Sequence, residues 1–205
     1  MKWVRYILYA AVVVMALLVG ARYWTIQASI ERLDDAVLGQ YLGPADAEQV
    51  IVEFMDYRCH ACRVASASIE EFHRRHPDVK IVFRHVPVMG DISINEARIA
   101  LAAGLNGKFI EMHSLLIARD EPVEDAEIDG LARIVGIAPE KLRADMMDIG
   151  VTGEIAISFT AAEALKVQTT PSFLINGVLY STTMKIPTAD DLYRVLTQGP
   201  KGEAL

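Results

Sequence analysis

The chain of 205 residues has two cysteines, Cys59 and Cys62, and they stand three positions apart in the stretch VIVEFMDYRCHACR, residues 50–63. Glu53, Asp56, Arg58, His60 and Arg63 crowd around them. Residues of these types support three kinds of chemistry: a metal clip, a structural staple, or a dithiol that exchanges electrons with other thiols. A Cys-x-x-Cys bridge closes a very small loop and restrains the unfolded chain little, so it is a poor staple. A structural zinc site wants four ligands, and there is no second cysteine pair. Two thiolates with His60 could hold Cu(I), a soft ion, although no Met-rich or His-rich tract lies nearby. For redox chemistry the thiolate is the reactive form, so the pair must sit where one sulfur ionises.

The elements around the pair supply such a place. QVIVEFMD, residues 49–56, reads as a strand buried on both faces, because its apolar run is interrupted once, by Glu53. From Cys59 the pattern turns helical, with Val64, Ala67, Ile69 and Phe72 at mixed three-to-four spacing until Pro77. The cysteines thus open a helix and share one face of its first turn. The helix dipole, with Arg58 and a protonated His60, favours the anionic form of Cys59. Its expected pKa falls within roughly 3.5–7.5, with Cys62 deeper and less ionised. A lone carboxylate in a buried strand is costly, which gives Glu53 a role beside the cysteines. Tyr57 is expected to pack toward the substrate side. His73, His76 and His85 are assigned to charged helix or strand surfaces, and His113 to a hydrogen-bonded helix position.

Beyond the helix, VKIVFRHVPV, residues 79–88, reads as a second strand. Helices are then expected over INEARIALAAGL, KFIEMHSLLIA, EDAEIDGLARIVG and PEKLRADMM, the last with Pro139 in its first turn. Another runs from Thr152 as its cap to about Lys166. TTPSFLINGVLYS holds two short strands around Asn176-Gly177, a strong two-residue hairpin signal. A last amphipathic helix spans roughly 188–197.

The N-terminus carries an uncharged run, YILYAAVVVMALLVGA, residues 6–21, between Arg5 and Arg22 and flanked by Trp3, Tyr23 and Trp24. At 1.5 Å per residue it reaches about 24 Å, short of the roughly 30 Å hydrocarbon core, but the aromatic and arginine flanks extend it. It is expected to be a transmembrane anchor or a signal peptide cut after Val19-Gly20-Ala21. Either would place Thr25–Leu205 outside the cytoplasm, where paired thiols are driven toward a disulfide. In TIQASIERLDDAVL, residues 25–38, Ile26, Ile30, Leu33 and Val37 are spaced as a short coiled-coil seam that pairs two chains or docks on its own domain. The formal net charge of −7, with no basic patch, excludes nucleic acid as a partner.

Strand, helix, strand, helical insertion, helix, hairpin, helix, with Cys-x-x-Cys after the first strand and Thr170-Pro171 before the hairpin, resembles the DsbA-like thiol-disulfide oxidoreductases. The resemblance covers about residues 43–198, and its markers are Glu53, FMDYRC, NGKFIEMHSLL and TTPSFLING. It implies an α/β thioredoxin-like fold with a helical insertion at about 91–150. A membrane or signal helix at 1–24 and an amphipathic helical linker at 25–42 precede the domain, and a tail at 199–205 follows it. It implies that Cys59 attacks, Cys62 resolves, Glu53 moves the proton of Cys62, and Thr170 with a cis Pro171 offers backbone groups to a bound peptide. The expected activity is a disulfide oxidase of exported proteins in the cell envelope, recycled by a membrane redox partner, without cofactor or resident metal. An isomerase or reductase of the same fold, and a Cu(I)-binding protein using the same cysteines, are the alternatives. The dipeptide His60-Ala61 departs from the proline-histidine of the DsbA type, and this dipeptide tunes the redox potential.

Overall fold

The structure, a computed structural model, describes residues 2–182 and 185–199, the side chains of Lys2, Arg5, Leu8, Ile26 and Ser29 excepted. The expected tail therefore lies outside the described residues beyond Gly199.

A five-stranded sheet organises the fold in the order β1 (Tyr41–Leu42), β3 (Lys80–His85), β2 (Val50–Met55), β4 (Ser172–Ile175), β5 (Val178–Ser181). β2 and β3 are parallel and every other pairing is antiparallel. The period of two along a strand decides what each residue meets. On β2, Ile51 and Met55 enter the larger core with Ile81 and Phe83 of β3, whereas Val52 and Phe54 join Val82 and Val86 in a second core on the opposite face. Glu53 shares the face of Ile51 and Met55, and Arg84 the face of Val82 and Val86.

The helices are α1 (Lys2–Glu31), α2 (His60–Arg75), α3 (Asp91–Gly104), α4 (Phe109–Ile117), α5 (Asp125–Ile134), α6 (Pro139–Asp145), α7 (Ile149–Ala164) and α8 (Ala189–Gln198). α2, α3, α4 and α8 contribute to the larger core, and α7 gives Ala161 and Ala162 to the second. α7 starts four residues earlier than its spacing suggests, because the Asp148 carboxylate accepts the Gly150 amide at 2.7 Å and takes the capping role expected of Thr152.

α1 is one continuous helix, and it ends midway through the amphipathic stripe at 25–38, which is therefore not a continuous helical seam. The helix stops at Glu31, Leu33 is buried in the second core with Ile30 against it, and Val37 is exposed. The cause is Arg84, itself 1 % exposed. Its guanidinium donates to the carbonyls of Leu33 and Asp35 at 2.9 Å and to that of Arg32, and it pairs with Glu154 of α7 at 2.6 Å. Gln40 donates to the same Glu154 at 2.9 Å. Handing three carbonyls to one buried cation pulls the chain out of the helix and onto the sheet. Gly104 of α3 completes the strap, since any Cβ there would come within 2.0 Å of the Leu38 carbonyl oxygen.

The described apolar side chains of α1 between Trp3 and Trp24 stand exposed. Among the described residues no helix is long and apolar enough to cross a membrane. A helix is thus observed where a membrane or signal segment is expected, and a span is not.

Candidate active site

β2 ends at Met55, and Asp56 turns the chain into α2. Its buried carboxylate accepts the amides of Arg58 and Val88 at 2.8 Å and of Met89 at 3.2 Å, tying the turn to the segment after β3. Cys59 is the residue before the first turn of α2, and no side chain caps that end. Its sulfur therefore meets the amides of Ala61 and Cys62, the latter also donating to the Cys59 carbonyl at 3.1 Å.

Both cysteines are free thiols, Cys59 half-buried and Cys62 1 % exposed. The pKa of Cys59 is lowered to about 5, chiefly by the hydrogen bond from the Cys62 thiol, with Thr170 and the amides of Cys62 and Ala61 adding to it and partial burial opposing. As a thiol, Cys59 donates to the Thr170 carbonyl at 3.2 Å; as a thiolate it accepts from the Thr170 side chain. Burial, first of all, pushes the Cys62 thiol far above the usual range, with its hydrogen bond to Cys59 and the nearby Glu53 acting the same way. Hydrogen bonds carry the acidity of Cys59, two of them from amides at the N-terminus of α2 where the sequence placed it, and the expected help from Arg58 and His60 is not among its causes. Arg58 is instead engaged with the insertion, at the Glu121 carbonyl (3.1 Å), the Asp120 carbonyl and the Glu96 carboxylate (3.5 Å). His60 is exposed at the first position of α2.

Glu53 lies between Phe83 and Phe173 in the sheet register and is 2 % exposed. Burial, and then the charge of Cys59, raises its pKa to about 8. It is therefore a carboxylic acid at neutral pH, facing the same side as Cys62. The peptide bond between Thr170 and Pro171 is cis, and these residues lead into β4 opposite the cysteines. Four residues singled out from sequence, Cys59, Cys62, Glu53 and Thr170, thus interact directly, with Pro171 adjoining and His60 on the rim.

Three further residues belong to the site: His113 keeps the hydrogen-bonded helix position expected of it, whereas Tyr57 and His85 were placed differently by the sequence. Tyr57 does not face substrate: it is 1 % exposed, and its hydroxyl meets His113 Nδ1 at 2.9 Å and His85 Nε2 at 3.2 Å. His85 is buried, not on a strand surface, because both faces of β3 are covered. Burial, with the charges of His113 and Arg84, lowers its pKa to about 3, and burial lowers that of His113 to about 4. Alternation along Ile81, Phe83 and His85 was the signal that could have placed His85 inward.

A family model described as DSBA-like thioredoxin domain matches residues 50–195. The chain is 31% identical over 137 residues to the Na(+)/H(+) antiporter NhaA 3 of Salinispora tropica, a match covering 66% of this chain and 21% of that protein. It is 29% identical over 147 residues to the antiporter NhaA of Herminiimonas arsenicoxydans, covering 70% and 23%. The chain thus spans about a fifth of the length of the curated relatives it matches. Among solved structures, a thioredoxin-like oxidoreductase from Silicibacter pomeroyi DSS-3 is similar with a TM-score of 0.75 at 30% identity, over 84% of this chain and 98% of that one. The thiol-disulfide exchange protein alpha-DsbA2 from Wolbachia pipientis shares the fold, with a TM-score of 0.71 at 20% identity over 87% and 97% of the two chains. So does BdbD from Bacillus subtilis, at 0.67, 23% identity, 81% and 95%.

Proposed function

The chain belongs to the DSBA-like thioredoxin domain family, and from that membership we propose that it is a thiol-disulfide oxidoreductase working as an oxidase of exported proteins. The observation that carries the reading is the pair of opposed acidities, Cys59 lowered to about 5 and Cys62 pushed far up.

In the oxidising direction a substrate thiolate attacks Cys59 of the Cys59–Cys62 disulfide. The substrate–Cys59 bond forms, the Cys59–Cys62 bond breaks, and Cys62 leaves with the electron pair. Glu53, still protonated near neutral pH, is the acid that can hand this sulfur its proton. A second substrate thiolate then attacks the substrate sulfur of the mixed disulfide and expels Cys59 as a thiolate. The substrate loses two electrons and the dithiol gains them. A leaving group with a pKa of about 5 makes the last step fast and stabilises the reduced enzyme, which makes the disulfide form a stronger oxidant. Thr170 and Pro171 would receive the substrate backbone opposite Cys59, and His60 would lie on the rim where a substrate arrives. A membrane redox partner would restore the disulfide.

The oxidase is favoured over an isomerase by the use of Leu33 within its own domain, which leaves no continuous seam to pair two chains. Cu(I) binding is disfavoured because Cys62, buried and hard to ionise, is a poor thiolate ligand. Residues 43–198 would form the redox domain behind the linker at 25–42, helical to Glu31 and held on the sheet beyond it. The exposed apolar surface of α1 and its uncharged run support a place at the cell envelope, anchored by or exported through residues 1–24, with the domain outside the cytoplasmic membrane. Ion transport is no part of the proposal. Equilibration of the full chain against glutathione tests it: a potential near about −120 mV fits an oxidase, and one near about −270 mV would make it a reductant.

A further inference from the structure

Behind the dithiol a partly open pocket runs from the surface of α2 and α4 into the larger core. A cavity of about 320 Å³ runs between β2, β3, α2 and α4, with Met55, Ile69, Phe83, Ile110 and Ile117 among its apolar walls. Glu53 and Cys62 also line it, as do His73, Ser114 and others toward the surface of α2 and α4. Glu53 is 2 % exposed and makes no hydrogen bond among the described residues, although a carboxylic acid can donate one and accept another. Nδ1 of His73, in the same wall, is fully buried and unpartnered. A buried polar group left without a partner costs on the order of 1–3 kcal/mol, so a space of this kind favours an occupant that satisfies it.

Resting on the proposed dithiol chemistry, we propose that this cavity is a binding pocket for a small aromatic alcohol or similar one-to-two-ring molecule with a hydroxyl head, held by Glu53 at the back of the active site. Size sets the upper bound. An apolar cavity of about 150 Å³ accommodates a single benzene ring, so roughly twice that volume takes a ring with substituents or a fused pair. Chemistry sets the head group: a hydroxyl accepts the acid proton of Glu53 and donates to its carbonyl oxygen, while the ring lies among Met55, Phe83, Ile110 and Ile117. Mostly apolar walls with a few convergent polar groups are what small-molecule pockets have in common. Because Glu53 and Cys62 are both wall residues, occupancy would be sensed directly by the buried half of the dithiol.

The test uses the full chain, labelled at Ile and Met methyl groups, in mild detergent, with 4-ethylphenol as probe and ethylbenzene as its counterpart without the hydroxyl. The expected result is a saturable shift of the Met55, Ile69, Ile110 and Ile117 methyls, with Met15 on α1 unmoved. Ethylbenzene should bind about tenfold more weakly, the equivalent of one hydrogen bond to a buried acid. Ser114→Trp, at an exposed mouth position, should abolish the shifts without disturbing the fold, and Glu53→Leu should erase the advantage of the hydroxyl while Glu53→Gln keeps it. No saturable shift up to the solubility limit, shifts that Ser114→Trp leaves intact, or shifts centred on Met15 would each overturn the proposal. Cys59→Ala has no exchange chemistry and should bind unchanged. Binding without exchange activity in the unmodified chain would therefore overturn the oxidoreductase reading and leave the pocket standing.

Discussion

The hydroxyl of Tyr57 and Nδ1 of His113 lie 2.9 Å apart, 56 residues from each other in the chain, inside the core beneath the cysteines. His85 reaches the same hydroxyl from β3 at 3.2 Å, so one phenol links the turn before Cys59 to the sheet and to the helical insertion.

This linkage makes the fold acid-sensitive. Burial holds the pKa of His113 at about 4, and burial with the charges of His113 and Arg84 holds that of His85 at about 3, against an ordinary 6.5. Folded-state values below the unfolded one mean that the unfolded chain takes up protons first, so stability falls as pH drops from about 6.5 through 4. Each histidine contributes on the order of 3 kcal/mol to that loss. Urea unfolding midpoints measured at pH 7 and pH 4.5 should differ accordingly, and His113→Gln should remove about half of the slope. Equal midpoints for the unmodified protein would contradict the buried neutral pair.

Glu53 acts on the other side of neutrality. Its folded pKa of about 8 lies above the ordinary 4.5, so its contribution is fully present below pH 4.5 and is lost as pH rises through 8. The charge that appears there is buried, and the shift corresponds to something on the order of 4 kcal/mol. Between pH 5 and 8 the reduced protein should lose stability relative to Glu53→Gln, by about 1.4 kcal/mol per pH unit, and the difference should level off above 8. Parallel curves for the two proteins would show that Glu53 ionises freely.

The two sulfurs should separate by pH. Iodoacetamide at pH 6 should label Cys59 and leave Cys62 untouched, with a midpoint for Cys59 near 5. Since the Cys62 thiol is the first cause of that acidity, Cys62→Ala should raise the midpoint more than Cys62→Ser, whose hydroxyl still donates. Cys62→Ser should also accumulate mixed disulfides, and Cys59→Ser almost none. Faster labelling of Cys62 than of Cys59 would reverse the assigned roles.

The strap can be tested apart from the chemistry. Arg84→Met takes from buried Glu154 its close cation, leaving the half-exposed Arg32 at 3.7 Å, and should cost about 3–5 kcal/mol in denaturant unfolding, with faster amide exchange at Leu38. Adding Glu154→Leu should recover part of the loss but not the exchange protection, because the carbonyls of Arg32, Leu33 and Asp35 stay unanswered. If the single variant were as stable as the parent, Arg84 would not hold the segment.

What the sequence made legible and what it hid divide along the distance over which residues cooperate. Cys59 and Cys62 share a turn, Glu53 lies on the adjoining strand, and Thr170-Pro171 precedes a hairpin that announces itself through Asn176-Gly177. Each is a local signal. Arg84 and His85 look like a polar surface pair, because nothing near them in sequence reveals that Glu154, Arg32 and Asp35 will surround one and Tyr57 the other. Both faces of β3 are covered by segments far along the chain. The stripe at Ile30 and Leu33 was visible, but its choice between a second chain and its own sheet rested on a guanidinium some fifty residues away.

Only Arg32 separates the end of α1 from Leu33, already sealed in the core, and Arg22 of α1 reaches Glu163 of α7 at 3.1 Å. If α1 is moored in a bilayer as proposed, the domain stands on a stalk without slack. It could not sweep a wide volume as a domain on a flexible leash does, where reach grows with linker length. Cys59 would ride at a nearly constant height and tilt, and encounters would be sorted by geometry: chains emerging close to the surface would meet the thiolate at high local concentration, and those further out would not. Lengthening the segment at Arg32 would then widen the set of partners without touching a single reacting atom.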